Sequence, residues 1–222
     1  MEILPLKYMK IDKFTTLRVI FVPDENLSTN AIRLAKEVSK RGKTYFIIDD
    51  KSHFTHLTVY HAEYPSKNKK ALVGLLENFA MKQEPLKLTF NKFCEQWAWF
   101  GLDFNKTKEI YEAHKKLVNV LNPLREGHIR EKYLEEIKNS IKYSKVQKKY
   151  ISQYGYTQVM SEYHPHLTLN RFVNEEIAEK VCKDFNNRKV SIKDSLIKEI
   201  ALVKSGEYGT VTGYIKRFKL KG

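Results

Sequence analysis

Cysteine is scarce: the 222 residues contain two, Cys94 and Cys182, and no C-x-x-C pair. A disulfide framework and a cysteine-rich zinc site are therefore excluded, and a reducing, cytoplasmic setting is the expectation. Long apolar runs are also missing. The stretch 19–22 is only four residues, far short of the roughly 20 that cross a bilayer, and residues 1–10 do not read as a signal peptide. A soluble protein without a membrane partner is expected. Gly/Ser-rich linkers and low-complexity tracts are absent, so one unit over residues 1–222, working as a monomer, is the simplest organisation. No basic run exceeds two residues, which argues against a disordered polybasic tail.

What is present is a dispersed positive charge. Lys plus Arg number 40 against 26 Asp plus Glu, a net charge of +14, with +5 in residues 1–110 and +9 in residues 111–222. A polyanionic partner suits this balance. The 42% hydrophobic and 12% aromatic content is enough for a substantial core and too much for a disordered chain.

The chain reads as one unit written twice. Residues 17–22 form a strand candidate, and a helix with Ala31, Ile32, Ala35 and Val38 on one face follows, ended by Gly42. Next come a short strand at 45–48 and a strand at 55–61, in which Leu57 and Val59 alternate with His56, Thr58 and Tyr60. A helix then carries Ala71, Leu72, Leu75, Leu76 and Phe79 as a stripe, and strands at 86–93 and 95–102 close the unit. The order returns with a strand-like segment at 156–160 and a strand at 165–170 in which Leu167 and Leu169 alternate with His166, Thr168 and Asn170. Its helix carries Ile177, Ala178, Val181, Cys182 and Phe185 at the same spacing, and a hairpin, 197–204 and 210–220, turns at 205–209. Helix candidates at 105–121 and 126–152 have no counterpart; Lys142, Lys145, Lys148 and Lys149 make the second one basic.

On a strand, residues i and i+2 share a face, so His56 pairs with Thr58 and His166 with Thr168. Two lobes packed about a pseudo-two-fold axis would bring both pairs around one small anion. One neutral imidazole can take a proton from an attacking oxygen while the other, protonated, donates to the leaving oxygen; the hydroxyls can donate to non-bridging phosphoryl oxygens. The scheme needs no metal and no cofactor. The bare triplet H-x-T is weak, since His53-Phe54-Thr55 also fits; the matched strand-before, helix-after context selects His56 and His166 as the catalytic pair.

His56-Leu57-Thr58-Val59 and His166-Leu167-Thr168-Leu169 resemble the twin H-x-T-hydrophobic motifs of the two-histidine (2H) phosphoesterases, which include 2′-5′ RNA ligase-like proteins and cyclic nucleotide phosphodiesterases. Residues 97–102 fall where that family has an apolar strand ending in Gly, and Tyr163-His164-Pro165 precedes the second motif as an aromatic and a Pro do there. The resemblance implies a bilobal, duplicated α+β fold, two antiparallel sheets with outer helices facing each other across a central cleft. Lobe one would span about 15–122, the inserted helical connection 105–152 and lobe two 153–222. It implies that His56 and His166 are acid and base and that Thr58 and Thr168 bind phosphate, and it implies a substrate among RNA ends and nucleotides, with 2′,3′-cyclic phosphate opening or 2′-5′ bond cleavage and joining as the reaction.

Other residues are weighed on position. Arg171 completes a His-x-Thr-Leu-x-Arg pattern and could neutralise phosphate, although strand parity points it away from His166 unless the strand bulges. Tyr60 and Asn170 follow the threonines on the site face and are expected to line the cleft, as is Tyr163; Phe54 and Tyr208 flank it and could stack a base. Trp97 and Trp99 share a strand face and read as core or cleft wall. A non-catalytic RNA-binding protein and a metal hydrolase centred on His164 and His166 are the alternatives.

Overall fold

The computed structural model describes residues 13–139, 143–188, 190 and 192–222; readings that fall on residues 1–12, Ile141 and Lys142 lie outside them. The elements run β1 (Phe14–Val22), α1 (Glu25–Ser39), β2 (Thr44–Ile47), β3 (Leu57–Pro65), α2 (Lys69–Lys82), β4 (Leu86–Leu88), β5 (Phe90–Gln96), β6 (Trp99–Phe104), α3 (Lys108–Leu121), α4 (Glu131–Asn139), α5 (Lys145–Tyr154), β7 (His166–Phe172), α6 (Glu175–Asn187), β8 (Ser195–Ile197), β9 (Glu199–Ser205) and β10 (Val211–Lys219). None of the described helices is long and apolar enough to cross a membrane.

Two four-stranded antiparallel sheets, ordered β10-β9-β1-β3 and β2-β7-β6-β5, carry the fold, and a small β4-β8 ribbon joins them. The α+β class is as expected. The sheets nevertheless interleave the chain: β9 and β10 of the second half complete the first sheet, and in the second β2 and β6 of the first half flank β7, with β5 outside β6. Contiguous lobes at 15–122 and 153–222 thus do not coincide with the sheets, because each sheet draws its strands from both repeats.

The helices cover the outer faces. Asp24 caps α1 by accepting from the Leu27 amide, Thr107 caps α3 by accepting from Ile110, and Asn174 caps α6 by accepting from Glu176 and Ile177, as short polar side chains do at helix starts. Leu27, Ala31, Leu34, Ala35 and Val38 of α1 are buried in one continuous core with Ala178, Val181 and Phe185 of α6 and Leu72 and Leu76 of α2.

Three segments depart from the sequence reading. The single helix at 126–152 is two helices, α4 and α5; Ser144 starts the second with a reciprocal capping box to Gln147, a local stop-and-start signal. Residues 156–160 are not a strand: Met160 has φ +51° and opens a short 3-10 turn, 160–162, its amide donating to His114 Nε2 at 3.1 Å. The strand read at 95–102 breaks at a two-residue hairpin turn, Trp97 and Ala98, with φ +53° and +67°. That turn ordinarily advertises itself by Asn or Gly; here the Glu95 carboxylate accepts from the Ala98 amide at 2.8 Å. Trp97 is consequently exposed while Trp99 begins β6.

Candidate active site

β3 of the first sheet meets β7 of the second, and each carries one motif at its start. The two strands repeat the same irregularity. In β3, Val19↔Tyr60 is followed by Ile20↔Thr58, leaving Val59 as an extra residue; in β7, Phe100↔Asn170 is followed by Gly101↔Thr168, leaving Leu169 as the extra one. A bulge inverts the alternation beyond it. Tyr60 and Asn170 therefore turn into the interior, at 1% and 0% exposure, and His61 and Arg171 take the face of His56 and His166.

This corrects three expectations about the cleft lining. The Tyr60 hydroxyl donates to the Tyr154 carbonyl at 2.6 Å and lies 3.0 Å from Asn122 Oδ1, tying the inserted helices to β3. Asn170 donates from Nδ2 to the Ala35 carbonyl at 3.2 Å, tying α1 to β7. Tyr163 is buried and stacked at 3.7 Å on His114, whose own ring bridges the Val59 carbonyl and the Met160 amide. All three are structural ties beneath the cleft. Phe54 likewise packs against Tyr214 at 5.1 Å.

The catalytic candidates are held in matched fashion. His56 Nδ1 donates to the Phe54 carbonyl at 3.0 Å, and His166 Nδ1 donates to the His164 carbonyl at 2.9 Å, in each case two residues earlier. Each ring is fixed as the tautomer with its lone pair on Nε2. His56 Nε2 accepts from Arg18 Nη1 at 3.0 Å. Burial, then Arg18, pushes the His56 pKa down to about 3, with His166 adding a smaller like-charge effect. Burial also lowers His166, opposed by the His164 carbonyl and by Asp103, which sits opposite it in β6. Both imidazoles thus feel the same cleft. Thr58 and Thr168 lie two residues on, Thr58 buried and Thr168 half-buried.

Arg171, turned inward by the bulge, lies 5.0 Å from the Tyr45 ring, 4.9 Å from Trp99 and 5.1 Å from Tyr208. Tyr45 and Tyr208 stack at 4.6 Å and both remain exposed at the rim. The β9–β10 turn that carries Tyr208 also supplies the Gly209 carbonyl, which accepts from Arg18 Nη1. His164 is exposed, and among the described residues no three His, Cys, Asp or Glu side chains gather as a metal site would require.

Sequence reasoning missed Arg18, His61 and Gly209, and with them Arg130 and Ser205, whose side chains lie 3.4 Å and 3.2 Å from the His61 ring nitrogens. A lone Arg within the apolar run 17–22 was the available signal for Arg18, and the shared five-residue offset from each motif histidine was the signal for His61 beside Arg171. Arg130 and Ser205 had none.

Comparison with solved structures places this fold. Over 95% of this chain and 100% of the other, it is similar to E. coli LigT complexed with 3′-AMP, at a TM-score of 0.57 and 16% identity. TT0787 of Thermus thermophilus is similar over 94% and 99% at 0.57 and 13%, and a protein titled phosphoesterase over 95% and 100% at 0.53 and 14%. No curated protein sequence matches the chain. A family model described as a protein of unknown function, DUF1045, matches residues 63–211, and the chain belongs to that family and shares its fold with LigT and these other solved structures.

Proposed function

We propose that the protein is a metal-independent phosphoesterase acting on RNA ends or nucleotides, opening 2′,3′-cyclic phosphates or cleaving and joining 2′-5′ phosphodiesters. The observation that carries this reading is the pair of imidazoles at the starts of β3 and β7, each with Nδ1 tied to a backbone carbonyl so that Nε2 carries the lone pair for proton transfer, that of His56 held by Arg18. The likeness to LigT, a protein crystallised with 3′-AMP, supports a nucleotide in that cleft; so does the exposed Tyr45–Tyr208 pair beside Arg171, an aromatic surface of the kind on which a base stacks.

In the hydrolytic direction His56 is the base and His166 the acid. Arg18 donates to His56 Nε2 and disfavours a proton there, so this ring is ready to accept one from water once substrate phosphate draws Arg18 away. Asp103 favours a proton on His166, which donates it to the leaving ribose oxygen. Water adds to phosphorus, the P–O bond to the ribose breaks, and the proton lost to His56 balances the one given by His166. Thr58, Thr168 and Arg171 hold the non-bridging oxygens, whose charge redistributes in the transition state. Cleavage of a 2′-5′ bond uses the same pair without water: the neighbouring 3′-hydroxyl gives its proton to one imidazole as it attacks phosphorus, and the 5′-oxygen leaves with the proton of the other, giving the 2′,3′-cyclic phosphate; joining is that step reversed, with the two roles exchanged.

The test is a panel of 2′,3′-cyclic, 3′,5′-cyclic and 2′-5′-linked substrates with product regiochemistry determined. Turnover of a cyclic or 2′-5′ substrate that survives EDTA supports the reading. RNA binding that weakens with salt, with no turnover of any member, would replace it with a binding role.

A further inference from the structure

The cleft holds more buried positive charge than one phosphodiester needs. Arg18 of β1 and Arg130, immediately before α4, are 4% and 7% exposed. Buried guanidinium groups ordinarily pair with carboxylates, yet among the described residues neither forms an ion pair. Arg130 reaches only the His61 ring nitrogens, at 3.4 Å, and the Tyr133 ring face at 4.4 Å; its Nε and Nη2 are buried without a hydrogen-bond partner. Arg18 Nε is equally unpartnered, while its Nη atoms lie 3.0 Å from His56 Nε2 and 3.5 Å from His61 Nδ1. Glu63, two residues beyond His61, is engaged by His128 and Thr16, both at 2.8 Å. His61 Nδ1 faces only guanidinium donors, so it accepts, leaving Nε2–H for Ser205 Oγ at 3.2 Å. No anionic group of the described chain answers this set of donors.

We propose that Arg18, His61, Arg130 and Ser205 form a second phosphoryl-binding subsite, so that the substrate carries, besides the phosphodiester between His56 and His166, a separate phosphate group a few bonds away. The inference rests on reading the His56–His166 cleft as a phosphoesterase site. Its geometry follows from Arg18, a single guanidinium within hydrogen-bonding range of both His56 and His61: the two phosphoryl positions flank it. A phosphate matches the forked donors of Arg130, the Ser205 hydroxyl and the remaining Arg18 nitrogen, and supplies the charge that two adjacent buried cations lack. Arg130 comes from the inserted segment that has no counterpart in the repeat, so the insertion selects the substrate by its second phosphate.

The experiment compares kcat/KM for adenosine 2′,3′-cyclic phosphate, its 5′-phosphorylated form and the dinucleotide ApA ending in a 2′,3′-cyclic phosphate. In the wild type, a second phosphoryl group raises kcat/KM by about 10- to 100-fold, the scale of charge-assisted hydrogen bonds. A gain confined to the 5′-phosphorylated form identifies a terminal monoester, and an equal gain with the dinucleotide an internucleotide diester. In Arg130→Gln the ratio falls to within about threefold of one, and Arg130→Lys restores part of it. If Arg130→Gln does not fold, Ser205→Ala lowers the same ratio. A wild-type ratio near one, or a ratio that Arg130→Gln and Ser205→Ala leave unchanged, overturns the proposal. Should no substrate turn over, the phosphoesterase reading fails by itself, and calorimetry with inorganic phosphate judges the subsite: Arg130→Gln weakens phosphate binding by about 10-fold or more, and equal binding overturns it.

Discussion

At the scale of the residue, proton affinity is set by neighbours rather than by residue type. His56 is held neutral by burial and Arg18, down to a pKa of about 3, whereas His166 is lowered from 6.5 by burial, against which the His164 carbonyl and Asp103 favour its charged form. The base form of His56 therefore persists in the free protein to about pH 3, and the acid form of His166 is present only below its lowered pKa. Since kcat/KM reports the free enzyme, its optimum is expected between about pH 3 and pH 6.5, on the acid side of an ordinary imidazole pair. An optimum above pH 7 would contradict the lowered proton affinity of the two imidazoles. His114 shows the same residue type in a structural role: fully buried, it satisfies the Val59 carbonyl and the Met160 amide and stacks on Tyr163. His114→Ala removes both partners and leaves a cavity, with an expected cost of about 2–4 kcal/mol in denaturant unfolding and little change in the pH optimum.

At the scale of the element, the strand bulges decide what the cleft contains. Alternation of apolar and polar residues identified β3 and β7, and the helices α1, α2, α3 and α6 were legible as stripes, because each buries one periodic face. The pattern fails one residue past each threonine, where Val59 and Leu169 are extra. A bulge depends on the neighbouring strand's register, which the strand's own sequence does not state, so Tyr60 and Asn170 were placed in the cleft, and Arg171, a phosphate-binding candidate, could reach it only if the strand bulged. Gly101 in β6 belongs to the same device: a Cβ there would meet the Leu167 carbonyl oxygen at 2.5 Å and the Thr168 Cα at 3.1 Å. Only glycine lets β6 approach β7 so closely beside the bulge. Gly101→Ala is expected to lower stability by about 1–3 kcal/mol and to reduce kcat by displacing His166 and Thr168. Unchanged kcat in a folded Gly101→Ala protein would separate the bulge from the chemistry. Gly155 acts similarly for the insertion, ending α5 at φ +66° with Arg125 packed where a side chain would stand. Arg125 itself donates to the Gln153 carbonyl at 2.9 Å, holding together the segment that delivers Arg130.

At the scale of the whole molecule, interleaved sheets and a net charge of +14 place a cationic cleft in the middle of a positive field. Because each sheet takes strands from both repeats, neither half can present its histidine without the other, and unfolding is expected to be one cooperative transition that abolishes activity in step. Buried neutral histidines make that transition acid-sensitive. The unfolded chain binds protons at His56 and His114 near pH 6.5, whereas the folded one does not until about pH 3. Stability is therefore full above pH 6.5 and falls as pH drops toward 3, by ~1.4 kcal/mol per pH unit for each ring. A thermal midpoint that stays flat from pH 7 to pH 4 would contradict the burial of these rings. The most direct test of the central claim is the rate of 2′,3′-cyclic phosphate opening by wild type, His56→Ala and His166→Ala, with EDTA present throughout. Each single replacement is predicted to lower kcat/KM by about 10²- to 10⁴-fold in a protein that still folds. Turnover within a few fold of wild type in either variant would contradict the paired-histidine mechanism.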